Sequence, residues 1–179
     1  EANEAFYIPV GHKDKTELKK DIVLKKLKPI LEDPSIKKVG QNIKYDFIIF
    51  KNNGIELSSL EDTMLLSYTL DAGNNRHNMD TLSELHLGHK TISYKDLVGT
   101  GKKQLNFADV DIKSATEYAA EDADITLRLY EVLSERVSEE KLERVYEEFE
   151  KPMIKILSKL EMNGIKVDDA YLTVSYTHL

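Results

Sequence analysis

Hydrophobic residues recur with helical spacing between about Ser114 and Val137, which predicts a long helix with one face toward a core. Asp122 falls on this apolar stripe, and Tyr118 lies one turn earlier on the same side. A buried carboxylate must be paired, protonated or bound to a cation. The helix alone slightly favours pairing with a Lys or Arg. The stripe itself consists of Ala115, Ala119, Ile125, Leu129, Val132 and Leu133.

Short apolar runs alternate with helical patterns in the first half of the chain, which predicts an α/β layer. The first predicted helix is capped by Thr16, buries Leu18, Ile22, Leu27, Ile30 and Leu31, and ends near Asp33. Other expected elements are strands over residues 5–10 and 36–40 and helices over 43–54, 62–70 and 81–87. Asp109 or Asp111 is expected to cap the long helix, on which Glu121 and Asp124 point elsewhere and are expected to be solvated.

Asp46 is a second candidate acid, because it falls in the first turn of the helix that follows the 36–40 strand. There the helix dipole and free N–H groups stabilise a carboxylate and keep it ionised. The carboxyl edge of a strand is also where α/β proteins bind ligands. Acids in a first turn are a common stabilising device, and for this residue alone that interpretation is the stronger one.

The pattern changes after Ser138 to a long, highly charged helix that reaches Met162, with Pro152 as a possible kink. Its charge and narrow apolar stripe indicate a connecting element that packs on a neighbouring domain. Residues 173–179 continue no pattern and are interpreted as read-through. The apolar stripe consists of Leu142, Val145, Phe149, Met153, Ile156, Leu157 and Leu160.

Composition narrows the class of protein. Of 179 residues, 41% are hydrophobic and 32% are charged, which is typical of a soluble globular protein. The absence of cysteine excludes disulfides and thiolate zinc sites and fits a cytoplasmic location. A net charge of −7 argues against a protein that coats phosphates, but not against an enzyme that meets nucleic acid through metal ions held by carboxylates. His77, His86 and His89 lack metal-site spacing and are expected to be structural or exposed.

Two sequence blocks closely resemble known motifs. Gly40-Gln-Asn-Ile-Lys-Tyr-Asp46 and Tyr118-Ala-Ala-Glu-Asp122 are similar to the second and third motifs of the 3′-to-5′ proofreading exonuclease domain of bacterial family A DNA polymerases. Blocks at 62–64, 76–80 and 89–94 are similar to the same domain, in the same order. Residues 150–168 resemble the segment that enters the polymerase domain. The resemblance covers roughly residues 5–172 and implies an exonuclease domain over 1–137 and the start of a polymerase domain over 138–172.

The resemblance implies a ribonuclease-H-like α/β fold of the DEDD class, a mixed sheet flanked by helices. It also implies hydrolysis of the 3′-terminal phosphodiester of DNA with two divalent metal ions, Mg²⁺ or Mn²⁺. By position, Asp122 would ligate the metal ion that carries the attacking water, Tyr118 would orient that water, and Asp46 would hold the second metal ion. The DNA contacts implied are the groove residues Gln41, Asn42 and Tyr45, a phosphate contact at Arg76 and base stacking on Tyr94.

One motif of the family is absent. Its first motif, an Asp-x-Glu on the first strand, should lie upstream of Ala5, so the chain is expected to be a piece of a longer protein. Without these acids we expect weak metal binding, poor cleavage and an exposed sheet edge.

Two alternative functions remain: a stand-alone exonuclease related to ribonuclease D, which the segment after Ser138 disfavours, and a non-catalytic scaffold. The joint presence of Asp46, Tyr118 and Asp122 disfavours the scaffold.

Overall fold

A two-stranded parallel sheet and eight α-helices make up the part of the chain that the computed structural model describes, residues 4–13, 18–101 and 104–168. The strands are β1 (Lys38–Gly40) and β2 (Leu60–Asp62). The helices are α1 (Lys20–Glu32), α2 (Ile43–Asn52), α3 (Thr63–Asp71), α4 (Met79–Leu87), α5 (Tyr94–Val98), α6 (Ile112–Glu139), α7 (Glu143–Val145) and α8 (Lys151–Asn163). A 3₁₀ turn (Phe107–Asp109) precedes α6, and a π-helical segment (Tyr146–Glu150) joins α7 to α8.

The strands β1 and β2 are joined by α2 and run parallel, with Lys38 opposite Leu60 and Gly40 opposite Asp62. Parallel pairing brings both carboxyl ends to the same edge of the sheet, so the turns after Gly40 and Asp62 meet there. All three residues of β2 are buried, whereas those of β1 are half-buried. Within the described residues, β2 is the sole strand that pairs with β1, which leaves the other edge of β1 without a partner.

The core consists of three hydrophobic clusters. The largest lies where α3 and α4 pack on α6, and the second holds α2 against β2 and α8. The third joins the end of α5 to the start of α6. The long predicted helix is confirmed, because α6 buries the expected face and Asp111 caps it by accepting a bond from the Ser114 N–H at 2.9 Å. Buried members of that face are Ala115, Ile125, Leu129 and Leu133.

The predicted strand over residues 5–10 is wrong, since this segment has no regular secondary structure. A short apolar run identifies a strand only when a partner strand supplies its hydrogen bonds, and the described residues contain none beside it. The helix α1 ends at Glu32, as expected, but the predicted cap Thr16 lies outside the described residues. Its predicted stripe is only partly correct: Leu27 and Leu31 are half-buried, whereas Leu18, Ile22 and Ile30 are at least half exposed.

The charged helix predicted from Ser138 to Met162 is interrupted. The helix α6 ends at Glu139, Lys141 adopts a left-handed backbone with φ of 58°, and α7 begins only at Glu143. A π-helical segment stands immediately before Pro152, which is tolerated because it lies in the first turn of α8. The buried side of this rod carries Tyr146, Ile154 and Ser158. Leu142, the first residue of the predicted stripe, packs on the largest core cluster. The rest of the stripe faces outward, with Val145, Phe149, Met153, Ile156, Leu157 and Leu160 all exposed.

Candidate active site at the carboxyl end of the sheet

The turn between β1 and α2 is tight. A Cβ atom on Gly40 would lie 2.8 Å from Cγ1 of Ile43, so a larger residue does not fit there without a shift. Asn42, which ends the turn, has a left-handed backbone with φ of 55°, a conformation that Asn adopts more readily than most residues. The helix α2 begins immediately afterwards and buries Ile43 and Phe47.

Asp46 lies in the first turn of α2, as predicted, and Asp122 lies on α6 across a groove of about 700 Å³ that both residues line. The groove runs along the unpaired edge of β1, and its floor is largely apolar. Besides the two acids, it is lined by side chains such as Leu31, Val39, Phe50, Met79 and Leu127. The fold therefore brings together two carboxylates that lie 76 positions apart in the sequence.

Asp122 is half-buried, and its Oδ1 atom is buried without a hydrogen-bond partner. Its carboxyl accepts a hydrogen bond from Tyr118, but no Lys or Arg of the described residues pairs with it, so the predicted ion pair is wrong. Burial, opposed by the Tyr118 bond, raises the pKa of Asp122 to about 6. The negative charges of Glu121 and Asp80 add to this rise in the pKa. A cation bound here would relieve the buried charge.

Burial also raises the pKa of Asp46, although the residue is exposed at the mouth of the groove. Protein atoms on one side of the carboxyl remove enough water to outweigh the hydrogen bond from its own backbone N–H. The expected stabilisation of the Asp46 carboxylate by the start of the helix is thus outweighed by burial, which shifts its pKa upward. Both candidate acids are set in surroundings that disfavour their negative charge.

Tyr118 belongs to a cluster of aromatic rings beside Asp122. Phe107 lies at the centre of this cluster, with its ring 6.3 Å from that of Tyr94 and 6.2 Å from that of Tyr118. The Tyr94 and Phe107 rings are stacked, with an interplanar angle of 15°. Tyr94 is the first residue of α5 and is 44% exposed, so one face of the cluster is open to a ligand. Sequence periodicity does not single out Phe107, because this residue belongs to no repeating apolar pattern.

The residues predicted to contact DNA fall into two groups. Tyr45 and Arg76 are exposed, and Arg76 forms no ion pair among the described residues. The side chain of Asn42 does not cap α2. Gln41 is more constrained: its Nε2 donates to the His77 carbonyl at 2.7 Å and its Oε1 accepts from the Thr63 hydroxyl at 2.5 Å. One N–H and one lone pair of this amide remain for a ligand.

Glu121 was expected to be solvated, but its side chain is only 17% exposed. One carboxylate oxygen lies 2.8 Å from Nε2 of His89, and the other accepts from the Ile92 N–H at 2.6 Å. The expectation for Asp124 is also wrong, since its side chain is 15% exposed and pairs with Arg128. Glu121 thus ties the segment that leads to Tyr94 onto α6, a contact that helix periodicity does not reveal.

The histidines are structural, as predicted: His77 shares a hydrogen bond with Ser67, His86 has a pKa lowered mainly by burial, and His89 contacts Glu121. No group of three or more metal-binding side chains occurs among the residues that the structure describes. Asp46 and Asp122 are the two carboxylates that line the groove.

Among the residues that the structure describes, no helix has the length and apolar character needed to cross a bilayer.

A parallel strand pair with acids above its carboxyl edge defines an α/β domain with a ligand groove, and a solved structure shares this fold. Brucella melitensis NrnC matches with a TM-score of 0.63 and 22% identity over 80% of this chain and 66% of that protein. The family described as 3′-5′ exonuclease matches residues 1–138. The chain belongs to this 3′-5′ exonuclease family of family A DNA polymerases, which confirms the resemblance drawn from the two motifs.

Two similar relatives are bacterial DNA polymerases. The DNA polymerase I of Rhizobium leguminosarum is 46% identical over 94% of this chain, and that of Pseudomonas aeruginosa is 42% identical over 98% of it. The matched region is 18% and 20% of those proteins. The chain therefore spans about a fifth of the length of these relatives.

Proposed function

We propose that this chain carries part of the proofreading 3′-5′ exonuclease site of a bacterial DNA polymerase I, and that the parent protein hydrolyses the 3′-terminal phosphodiester of DNA at this site. The observation that carries the proposal is the groove that Asp46 and Asp122 line together, with Tyr118 hydrogen-bonded to Asp122 at its edge. Membership of the 3′-5′ exonuclease family supports it. The finer fold assignment, a ribonuclease-H-like mixed sheet that is completed by further strands, is part of the same proposal.

The chain supplies some of the ligands that a divalent metal ion would need, but not the Asp-x-Glu motif of the family. Asp122 has a buried oxygen without a partner, and carboxylate oxygens are the ligands that Mg²⁺ and Mn²⁺ prefer. Asp46 and Asp122 would hold the ions, which would supply an activated water and stabilise charge on the phosphate. The Tyr118 hydroxyl would orient the water, and its hydrogen bond to Asp122 supports this role. Burial raises the pKa of Tyr118, so this hydroxyl stays protonated at neutral pH.

The other predicted contacts would position the frayed 3′ end. Tyr94 presents an exposed ring beside Tyr118, where a terminal base can stack without regard to its identity. Arg76 is an exposed cation for a phosphate, and Asn42 and Tyr45 lie at the turn that opens the groove. Gln41 would donate its remaining N–H to the DNA. The polymerase domain of the same parent chain, beginning at residues 138–172, is the proposed partner.

Part of this proposal is that the Asp-x-Glu strand of the family lies beside the free edge of β1. The groove follows the unpaired edge of β1 and lies between Asp46 and Asp122, so an extended strand seated there would pair with β1 and bring its acids to the two carboxylates. This placement supports the expectation that the 179-residue chain alone binds metal weakly and cleaves poorly. Robust Mg²⁺-dependent or Mn²⁺-dependent degradation of single-stranded DNA by the purified chain would contradict it.

The proposal is tested in the protein encoded by the complete reading frame. Asp122→Ala should abolish release of nucleotides from the 3′ end of labelled single-stranded DNA while DNA synthesis by the same preparation stays intact. Asp111→Asn, a change at the exposed cap of α6, serves as the matched control and should leave both activities unchanged. Unaltered 3′-end degradation in Asp122→Ala would support the non-catalytic scaffold instead.

A further inference from the structure

A buried carboxylate in the 62–64 block, to which the sequence assigned no role, bridges the starts of two helices. Asp62, the last residue of β2, is 1% exposed. Its Oδ1 atom accepts from the N–H groups of Asn42 at 3.0 Å and Met64 at 2.9 Å, and its Oδ2 atom accepts from the Ile43 N–H at 3.0 Å. Burial raises the pKa of Asp62, and these backbone bonds oppose the rise. One side chain therefore caps both α2 and α3.

The helix α2 depends on this cap, because it has none of its own. The first N–H groups of a helix lack partners within the helix and are usually bound by the side chain of the N-cap residue. Here the N-cap is Asn42, whose side chain makes no cap bond and whose backbone is left-handed. Asp62 supplies the missing acceptors from a neighbouring strand, and bonds to a carboxylate are stronger than those to a neutral group. Asp62, on the neighbouring strand, thus stabilises the left-handed backbone of Asn42 in the turn after β1.

The residue after Asp62 extends the same arrangement. The Thr63 hydroxyl donates to Oε1 of Gln41, whose Nε2 donates to the carbonyl of His77. The end of β2 therefore fixes the turn that starts α2 and, through Gln41, the segment that contains Arg76. Asp46 lies in the first turn of α2, less than two turns from the atoms that Asp62 binds.

We propose that Asp62 is a positioning residue for the exonuclease site: by capping α2 from the adjacent strand, it sets the direction in which Asp46 meets a divalent cation. This inference rests on the proposed function, since it assigns a metal-ligand role to Asp46. It differs from a role in stability alone, because it requires metal binding at Asp46 to depend on Asp62. Outer-shell partners of metal ligands commonly change affinity by about 10- to 100-fold when they are substituted.

Two variants separate the functions of Asp62. Asp62→Asn keeps the shape of the side chain but turns one acceptor into an NH₂ group that faces backbone donors. Asp62→Ser keeps a good cap for α3 but is too short to reach Asn42 and Ile43. Asp111→Asn makes the same chemical change at a cap away from the groove, and Val137→Ala lowers stability from the far end of α6. The last two variants are the matched controls.

The measurement is nuclear magnetic resonance of the 15N-labelled chain during titration with Mn²⁺, which broadens the amide signals near the bound ion. In the Asp62 variants, the Mn²⁺ concentration for half-broadening of the Asp46 amide should rise about 10-fold or more, with a smaller change at Asp122. Neither control should change the titration. Hydrogen exchange of the amides of residues 42–47 should also accelerate in both Asp62 variants and not in Asp111→Asn.

The outcomes are distinct. A lower unfolding temperature with an unchanged Mn²⁺ titration at Asp46 would overturn the inference and leave Asp62 a stabilising cap. If Mn²⁺ broadens neither Asp46 nor Asp122 in the unsubstituted chain even at high concentration, the metal assignment of the proposed function fails. The exchange data then decide the positioning role separately: unchanged protection of α2 in Asp62→Ser would overturn it, and loss of protection confined to α2 would support it.

Discussion

Asp122 occupies a position where its charge is unfavourable without a bound cation. Sequence periodicity placed it on the buried face of α6, and the structure confirms this placement and adds that one oxygen has no partner. A residue kept for stability would gain from being Asn at this position. An Asp at this position is therefore an energetic cost to the metal-free fold, as expected of a metal ligand or a catalytic group.

The pH dependence of stability follows from the pKa of Asp122. Its pKa is about 6 in the folded chain against an ordinary value of 3.8, so the folded state takes up a proton more readily between these two values. The penalty for burying the charge is absent below about pH 4, grows as the pH rises and is complete above about pH 6. In EDTA at pH 7, Asp122→Asn should raise the free energy of unfolding by about 1 to 3 kcal/mol.

Urea denaturation at pH 4 and pH 7 measures this effect, and the gain from Asp122→Asn should shrink at the lower pH. Asp111→Asn is a control of opposite sign, because the hydrogen bond from Ser114 lowers the pKa of Asp111. That variant should lose stability relative to the unsubstituted chain at pH 7 and less at pH 4. An Asp122→Asn variant that is less stable than the parent at pH 7 would contradict the argument.

At the scale of elements, polar contacts with β2 anchor the segment from α7 to α8. The Tyr146 hydroxyl donates to Oε2 of Glu61 at 3.0 Å and accepts from the Asp62 N–H at 3.1 Å. Lys151 lies one turn later, and its Nζ is 2.8 Å from Oε1 of the nearly buried Glu61. The family match ends at residue 138, yet these contacts and the buried Ile154 make the following segment part of the same packed unit.

Tyr146→Phe tests this anchor. The change removes only the hydroxyl but leaves the Asp62 N–H and one oxygen of Glu61 buried without that partner, so the free energy of unfolding should fall by about 1 to 3 kcal/mol. Tyr68→Phe, on a ring that is 45% exposed, should change it by less than about 0.5 kcal/mol. Chemical denaturation of the two variants measures both values. Equal stability of Tyr146→Phe and the parent chain would show that the contacts do not hold the segment.

At the scale of the whole molecule, two surfaces lack partners within the described residues: the free edge of β1 and the outer side of α8. On α8 and the turn before it, Phe149, Ile156 and Leu160 are 60%, 50% and 59% exposed. Contiguous apolar surface of this kind marks an interaction site in a soluble protein. The prediction that this segment packs on a neighbouring domain remains a prediction, and it agrees with the outward direction of the stripe.

We therefore expect the isolated chain to self-associate through this stripe. The double variant Phe149→Lys/Leu160→Lys should shift sedimentation-velocity profiles toward the monomer, because both replaced side chains belong to the exposed stripe. The double variant should keep the parent's unfolding free energy within about 1 kcal/mol, since exposed positions contribute little. Lys159→Ala on the same helix is the control and should not reduce association. A parent chain that stays monomeric at high concentration would contradict this expectation.

The sequence by itself determined the features that depend on local periodicity and capping. The α6 helix, a cap at Asp109 or Asp111 and the placement of Asp46 and Asp122 follow from the 3.6-residue repeat and from helix-end chemistry, which act within one segment. The motifs around these acids also identified the family. No contact with a distant segment is needed for any of these conclusions.

Only the tertiary structure decided which surfaces meet. The pattern of α8 shows that it has an apolar side, but packing against α2 and β2 buries Ile154 and leaves the larger stripe outside. Tyr146, in the segment before α8, is buried against α3 and α6. Residues 5–10 form no strand, because a strand requires a partner that periodicity cannot supply. The contacts of Asp62 with α2 and of Glu121 with the segment before Tyr94 join residues about 20 and 30 positions apart. Such pairings depend on the fold, because local sequence sets which groups are available and only chain topology sets which of them become neighbours.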